Sequence, residues 1–254
     1  MNSKKIPKIS ILTVTYNAER LIEKTIQSVL MQDFKDLEYL VIDGGSTDKT
    51  LVLLNKYNIN YVSEPDEGVS DAFNKGISKA KGEYILFLNA GDYFSDKGVL
   101  RSVFSIDLGA DVVYGKVLVS FDRNGHHIES IHGSIKLPLN KLPTVHQGMI
   151  FTRNTFDQLG AFDKRYKYAM DYDHYHRIRN KVSFQFVDRI LIERPMDKNR
   201  NSFGNPASTW LEYVKIDYKY KNIYFFSSLI KFFYYKVKMI QNLRNIFRKY
   251  NLNQ

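Results

Sequence analysis

Residues 9–32 read ISILTVTYNAERLIEKTIQSVLMQ. Ile9 to Thr15 make an almost unbroken apolar and β-branched run, the pattern of a strand covered on both faces. Leu21, Ile22, Ile26, Val29 and Leu30 then recur at spacings of three and four, which predicts a helix with one buried stripe. Together they form one β-α step. Leu37 to Ile42 repeats the strand signal, Gly44 and Gly45 break it, and Ser46, Thr47 or Asp48 can cap a helix carrying Leu51, Val52 and Leu54. Ile59 to Val62 reads as a third strand, Asp71 to Lys81 as a helix stopped by Gly82, and Tyr84 to Leu88 as a fourth strand. Alternation of this kind predicts an α/β fold built on a mostly parallel sheet flanked by helices.

The 254 residues suffice for one such domain of about 200 residues plus an appendage. With no cysteine in the chain, disulfides and thiolate metal sites are excluded, and a cytoplasmic home is the simplest expectation. The apolar stretch near the N-terminus meets Thr13, Thr15, Tyr16 and Asn17 too soon for a signal peptide. Lys231, Lys236 and Lys238 interrupt the most hydrophobic C-terminal stretch, which argues against a spanning helix.

In a parallel sheet, ligands bind beyond the carboxyl ends of the strands. The segments that follow the four strands are TYNAER, DGGSTDKT, SEPDEGVSDAFNKGI and NAGD, all on one edge and all rich in polar side chains. No G-x-G-x-x-G follows the first strand, which disfavours a dinucleotide cofactor, and no Walker A loop is present. An acidic edge suits a sugar nucleotide. Asp43 can accept from a base or ribose, and Asp92 can hold a divalent cation, Mn²⁺ or Mg²⁺, between itself and a diphosphate it would otherwise repel. Both aspartates also fit plain turn positions.

Five segments carry a family likeness: ISILTVTYNAERLIEKTIQSVLMQ, EYLVIDGGSTDKT (38–50), EPDEGVSDAFNKGISKAKGEYILFLNAGD (64–92), HQGMIFTR (146–153) and AMDYDHYHRIR (169–179). Over about Ile9 to Pro195 the chain resembles the family 2 glycosyltransferases of the GT-A fold, specifically bacterial members that build surface polysaccharides. The resemblance implies an inverting transfer from a nucleoside diphosphate sugar, with UDP the default carrier. It places the nucleoside against Thr15, Tyr16 and Asp43, with Asp71 and Lys75 lining the same pocket. Asn89-Ala90-Gly91-Asp92 is similar to the family's metal-binding D-x-D, although Asn89 and Gly91 stand where acidic residues are usual. Asn89 then faces the sugar nucleotide and Asp92 is left as the metal ligand. Gly44 replaces an aspartate common in relatives, and RPMDKNRNSFG (194–204) stands in the region of a late loop from which Arg200 and Ser202 would reach phosphate.

Attack by an acceptor hydroxyl needs one general base to take its proton. Asp171 looks like the aspartate of the family's E-D motif, with Met170 in the usual glutamate position, and is assigned that role. Its structural alternative is a helix cap, with Asp173 paired to Arg177 at i,i+4. The resemblance also turns His146 and Gln147 toward the acceptor. His174 and His176, two residues apart on a helix, point apart and do not suit a shared zinc.

Residues 1–204 are thus expected to form the catalytic domain and 205–254 a basic, aromatic-rich helical extension. Residues 211–254 hold nine Lys or Arg against Glu212 and Asp217. Phe226, Leu229, Ile230, Phe233, Val237, Ile240 and Phe247 form an apolar stripe, with Lys231, Lys238 and Lys249 opposite and Arg244 near it. Such a helix can rest peripherally on an anionic leaflet, where a lipid-linked saccharide acceptor would be found, or pack on the catalytic domain or another subunit. Two rival functions remain: a sugar nucleotidyltransferase, which lacks a glycine- and arginine-rich triphosphate loop here, and a basic nucleic-acid-binding protein, which leaves the acidic edge unexplained.

Overall fold

A computed structural model describes residues 5–123, 126–134, 142–196 and 206–251, except the side chains of 122, 123, 126, 240 and 242–251. The first half runs β1 (Ile9–Thr15), α1 (Ile22–Leu30), β2 (Leu37–Asp43), α2 (Thr50–Lys56), β3 (Asn60–Ser63), α3 (Val69–Lys79), β4 (Tyr84–Phe87), β5 (Tyr93–Phe94) and α4 (Val99–Phe104). The second half runs β6 (Val112–Arg123), β7 (His126–His132), a 3₁₀ turn at His146–Gly148, β8 (Met149–Thr152), α5 (Arg153–Leu159), α6 (Met170–Ile178), β9 (Phe184–Met196), α7 (Pro206–Lys219) and α8 (Phe225–Asn251).

The strands form one sheet in the order β3-β2-β1-β4-β8-β6-β9-β5, with β7 paired to β6. β1, β2, β3 and β4 are mutually parallel, and β8 inserts antiparallel between β4 and β6. All seven residues of β1 are buried because both faces of the sheet are covered. On one face Ile9 and Ile11 pack with Ile22, Ile26 and Val29 of α1 and with Val99, Leu100 and Val103 of α4. On the other, Leu12 and Val14 pack with Ala72, Phe73 and Ile77 of α3, Met170 and Tyr172 of α6, and Ile216 of α7. A fully buried Leu or Ile contributes about 1.5–3 kcal/mol of transfer free energy, so this alternation is what holds the layers together.

Two local expectations change. α3 ends at Lys79, before Gly82, and Gly82 serves the sheet: a β-carbon there would lie 2.4 Å from the backbone nitrogen of Ser10. Of the three candidate caps for α2, Asp48 takes the Thr50 N–H at 2.9 Å, whereas Ser46 and Thr47 bind the neighbouring loop. The C-terminal helices join the same body. Ile216 is fully buried in the second core layer, while the proposed boundary at 204/205 falls outside the described residues.

Candidate active site

Parallel pairing brings the ends of β1 to β4 to one rim. Thr15 sits level with Asp43, and Asp43 level with Ser63. Because β8 runs the opposite way, its N-terminal end meets the C-terminal end of β4, which delivers His146 and Gln147 to that rim. The N-terminus of α6 delivers Asp171 to His146.

Beyond the ends of β1 and β2, the first two loops are stitched together. Asn17 adopts φ 48°, its N–H donates to Ser46 Oγ at 2.8 Å, and its Oδ1 accepts from the Thr47 N–H at 2.8 Å. Asp43 is fully buried and its carboxylate accepts from Gly45 N–H, Ser46 N–H, Ser46 Oγ and Ser63 Oγ at 3.1, 2.8, 2.5 and 2.6 Å. Those four donors fill the lone-pair directions a carboxylate offers. Asp43 therefore holds its own turn. Thr15 Oγ1 is buried without a hydrogen bond, and the Tyr16 ring is 56% exposed beside it in sequence. A β-carbon on Gly44 would lie 2.5 Å from Asp66 Oδ2 and 3.5 Å from the Tyr16 ring, so the glycine makes room for the Asp66 carboxylate. Asp66 was not singled out from the sequence.

Asp71 and Lys75 share one turn of α3 with Nζ 3.5 Å from the carboxylate. Lys75 also donates to Pro65 O and pairs with Glu64, and Asp71 accepts from Glu67 N–H and Lys164. Burial raises the Asp71 carboxyl, but that N–H and the two lysines outweigh it and leave it below the ordinary value.

At the rim's centre, Asp92 is fully buried and its Oδ2 accepts from Gln147 Nε2 at 3.0 Å. The turn that presents it is closed by the Asp92 N–H to Asn89 O bond at 2.9 Å and by Thr25, whose Oγ1 donates to Asp92 O and accepts from Gly91 N–H. Asn89 Oδ1 and Gln147 Oε1 are buried without hydrogen bonds. One carboxylate and two unpartnered amide oxygens are hard donors, the set that suits Mg²⁺ or Mn²⁺ completed by substrate phosphates. Among the described residues no group of three or more His, Cys, Asp or Glu side chains forms an all-protein cage. These residues fit a cation shared with the substrate.

His146, next to Gln147, places Nδ1 3.1 Å from Asp171 Oδ2, and its Nε2 is buried without a partner. The Asp171 side chain keeps 18% of its surface. Burial pushes its carboxyl up. The His146 hydrogen bond and charge, the Tyr172 N–H and Arg194 outweigh that, and the net effect is a carboxyl below its ordinary range, ionised at neutral pH. The two contacts join Asp92, Gln147, His146 and Asp171 into one chain of neighbours.

α6 is anchored by residues that no local motif announced. Ser70 Oγ donates to Tyr166 O at 2.6 Å, and Asn74 exchanges two hydrogen bonds with the backbone of Phe162. From α7, the Glu212 carboxylate accepts the N–H groups of Lys167, Tyr168 and Ala169 at 3.0, 2.8 and 2.9 Å, the donors that lead into α6. Buried Asp217 accepts from Tyr172 OH, Asn222 Nδ2 and Ser228 Oγ at 2.7, 2.7 and 2.5 Å, which ties α6, α7 and α8 together. Asp173 lies 3.8 Å from Arg177 and 2.8 Å from Lys219. His174 stacks on Phe156, and burial drives its ring down to about 3; His176 stacks on Tyr220 and is driven down to about 4 for the same reason. Arg200 and Ser202 lie outside the described residues.

On α8, Phe226, Ile230, Phe233 and Val237 are 52–71% exposed and Leu229 is half-buried, so this part of the apolar stripe faces away from the protein; the side chains of Ile240 and Phe247 lie outside the described ones. Among the described residues no helix is long and apolar enough to cross a membrane.

Both the sequence and the fold have counterparts among known proteins. The PGL/p-HBAD biosynthesis glycosyltransferase of Mycobacterium bovis (strain BCG / Pasteur 1173P2) is 30% identical over 216 residues, 80% of each chain. S. aureus TarS 1–349 in complex with UDP-GlcNAc superposes with a TM-score of 0.68 at 20% identity, over 84% of this chain and 66% of that one. The mannosyltransferase PcManGT from Pyrobaculum calidifontis, in complex with GDP-Man and Mn²⁺, does so with a TM-score of 0.64 at 18% identity, over 85% and 64%. This chain thus spans just under two thirds of either solved chain, and those likenesses establish the GT-A fold. The family described as Glycosyl transferase family 2 matches residues 10–184, well over half of the sequence. With its strand order, polar rim and sequence in accord, the chain belongs to glycosyl transferase family 2.

Proposed function

We propose that the protein transfers one sugar, with inversion, from a nucleoside diphosphate sugar, UDP-linked by preference, to a hydroxyl of a lipid-linked oligosaccharide or polysaccharide. The observation that carries this reading is the run of contacts Asp92–Gln147 and His146–Asp171, which sets a cation-suited oxygen cluster and an ionised carboxylate on the same rim. Asp171 takes the proton as the acceptor oxygen bonds to the anomeric carbon, while the carbon–oxygen bond to the diphosphate breaks and the nucleoside diphosphate leaves with that electron pair. His146 holds the Asp171 carboxylate in place. Asp92 with Asn89 would hold Mn²⁺ or Mg²⁺, which when bound neutralises the departing phosphates.

Tyr16 offers an exposed ring to the base and Thr15 a free hydroxyl. Asp43 acts through the turn it closes, and Asp71 with Lys75 borders the pocket. The GDP-mannose and UDP-GlcNAc bound by the two solved relatives bracket the donor choice. The extension of residues 205–254 works as part of the catalytic unit, because Glu212 and Asp217 grip α6. The exposed stripe of α8, with Lys231 and Lys238 on the opposite face, rests on the anionic cytoplasmic leaflet.

A panel of UDP- and GDP-sugars with Mn²⁺ or Mg²⁺, read by release of nucleoside diphosphate, tests the chemistry. Pyrophosphate release, or metal-independent turnover, would contradict it. Flotation with phosphatidylglycerol vesicles tests the anchor: Phe226→Ser, Ile230→Ser and Phe233→Ser together should abolish co-flotation without unfolding the protein, since all three side chains are exposed. Retained flotation would refute the anchor.

A further inference from the structure

A cavity of about 300 Å³ opens between α6, α7 and α8, away from the nucleotide loops. Tyr172, Trp210 and Tyr213 form one of its walls, with ring centroids 5.2 Å apart for Trp210 and Tyr213 and 4.7 Å for Tyr172 and Tyr213. Ser227 and Lys231 line it as well, and Lys231 Nζ lies 4.4 Å from the centroid of the Trp210 ring. Among the described residues Lys231 forms no ion pair and Ser227 Oγ no hydrogen bond, so both polar heads are available to a ligand. The floor is rigid, because Tyr172 OH and Ser228 Oγ both donate to buried Asp217.

Position links this cavity to the chemistry. Tyr172 follows Asp171 directly, and Leu142 lines both this cavity and the smaller one that contains His146 and Asp171. Leu142 is thus the wall shared between a ligand here and the pocket of the carboxylate proposed to deprotonate the acceptor. Its volume stands at the lower end of the range for small-molecule sites, roughly 300–1,000 Å³, which is room for a sugar unit rather than a long chain. A sugar ring presents a C–H face that packs on aromatic rings and an equator of hydroxyls that need donors and acceptors. An aromatic wall with a hydroxyl and an ammonium matches both.

We propose that this cavity is the acceptor subsite and holds a saccharide ring of the acceptor beside Asp171. The assignment rests on the transferase reading above and extends it, since it places acceptor selection on the C-terminal helices.

Trp210 is the sole tryptophan of the chain, so its emission reports the cavity directly. The full-length protein is titrated, with UDP present, with methyl glycosides of glucose, galactose, N-acetylglucosamine, mannose and rhamnose, and separately with n-octanol. A saturable change with at least one glycoside and none with octanol is expected. A response to octanol alone would make the cavity an alkyl-chain site, and no saturable response to any glycoside would remove the subsite; either result overturns the proposal. With the responding glycoside as acceptor, Trp210→Ala should raise its KM by about five- to tenfold, the loss of one aromatic packing partner, with the donor KM shifted less than twofold. Trp210→Phe should recover most of that loss. If Trp210→Ala does not fold, Lys231→Ala and Ser227→Ala, both exposed, give the same KM comparison, and unchanged glycoside KM in both would count against the assignment. Should no sugar nucleotide turn over in the wild type while the fluorescence titration succeeds, the transferase reading fails and the saccharide site stands.

Discussion

Replacing Glu212 with alanine removes one carboxylate that accepts three successive backbone N–H groups just before α6. Hydrogen bonds to a charged group are worth about 1.5–3 kcal/mol each when shielded, but the Lys167 and Tyr168 donors lie toward solvent, where water replaces the carboxylate at about a third of that loss. Adding the favourable interaction of an anion with a helix N-terminus, about 0.3–1 kcal/mol, the loss comes to about 3–6 kcal/mol. For a chain of this size that is a Tm decrease of roughly 6–24 °C, measured by thermal unfolding. Glu212→Gln keeps a neutral acceptor and should lose about half as much. Because the freed segment carries Asp171, kcat should fall by about ten- to a hundredfold at saturating donor, the scale on which an ångström of misplacement acts. A Tm within 1 °C of wild type together with kcat within twofold would refute the claim that α7 positions α6.

Asp171→Asn should bind donor within twofold of wild type yet lose about 10²- to 10⁴-fold in kcat, as measured by nucleoside diphosphate release. In wild type the Asp171 carboxyl lies below its ordinary value, so kcat/KM should show no acid limb above pH ~4. In His146→Gln the two larger lowering influences are lost and only the Tyr172 N–H and Arg194 remain against burial, the largest cause, so a limb should appear above that pH; identical profiles would contradict the pairing. His174 binds a proton in the unfolded chain below about pH 6.5 but in the folded protein only near about 3. Stability should therefore fall by about 1.4 kcal/mol per pH unit as pH drops below 6.5, with His176 adding in the same direction. Urea unfolding of His174→Phe should show a shallower acid slope.

The geometry assigns unequal work to the two halves of the protein. Loops after β1 and β2 hold one another through Asn17, Ser46 and Asp48 and present a preformed edge to the proposed nucleotide. The proposed acceptor side depends on α6, whose position is set by partners in α3 and α7. Changes in residues 206–251 should thus alter acceptor use and kcat before they alter donor affinity.

The β-α steps, the shared rim of four polar loops and the family are legible in the order of the residues alone, because each is written in periodicity or in contiguous residues. The apolar run of β1 and the helical stripe of α1 are local signals. The same order also picks out Asp92, Gln147, His146 and Asp171 as separate candidates. That they touch follows from folding, since Gln147 and Asp92 are 55 residues apart and meet because β8 runs antiparallel to β4. Folding likewise decides that the Asp43 carboxylate is taken up by its own turn and Ser63, that Glu212 grips the backbone before α6 from 43 residues beyond Ala169, and that the α8 stripe faces outward. Hydrophobic period tells which side of an element is buried, but not which distant element will bury it or which polar groups will be left to pair across the gap.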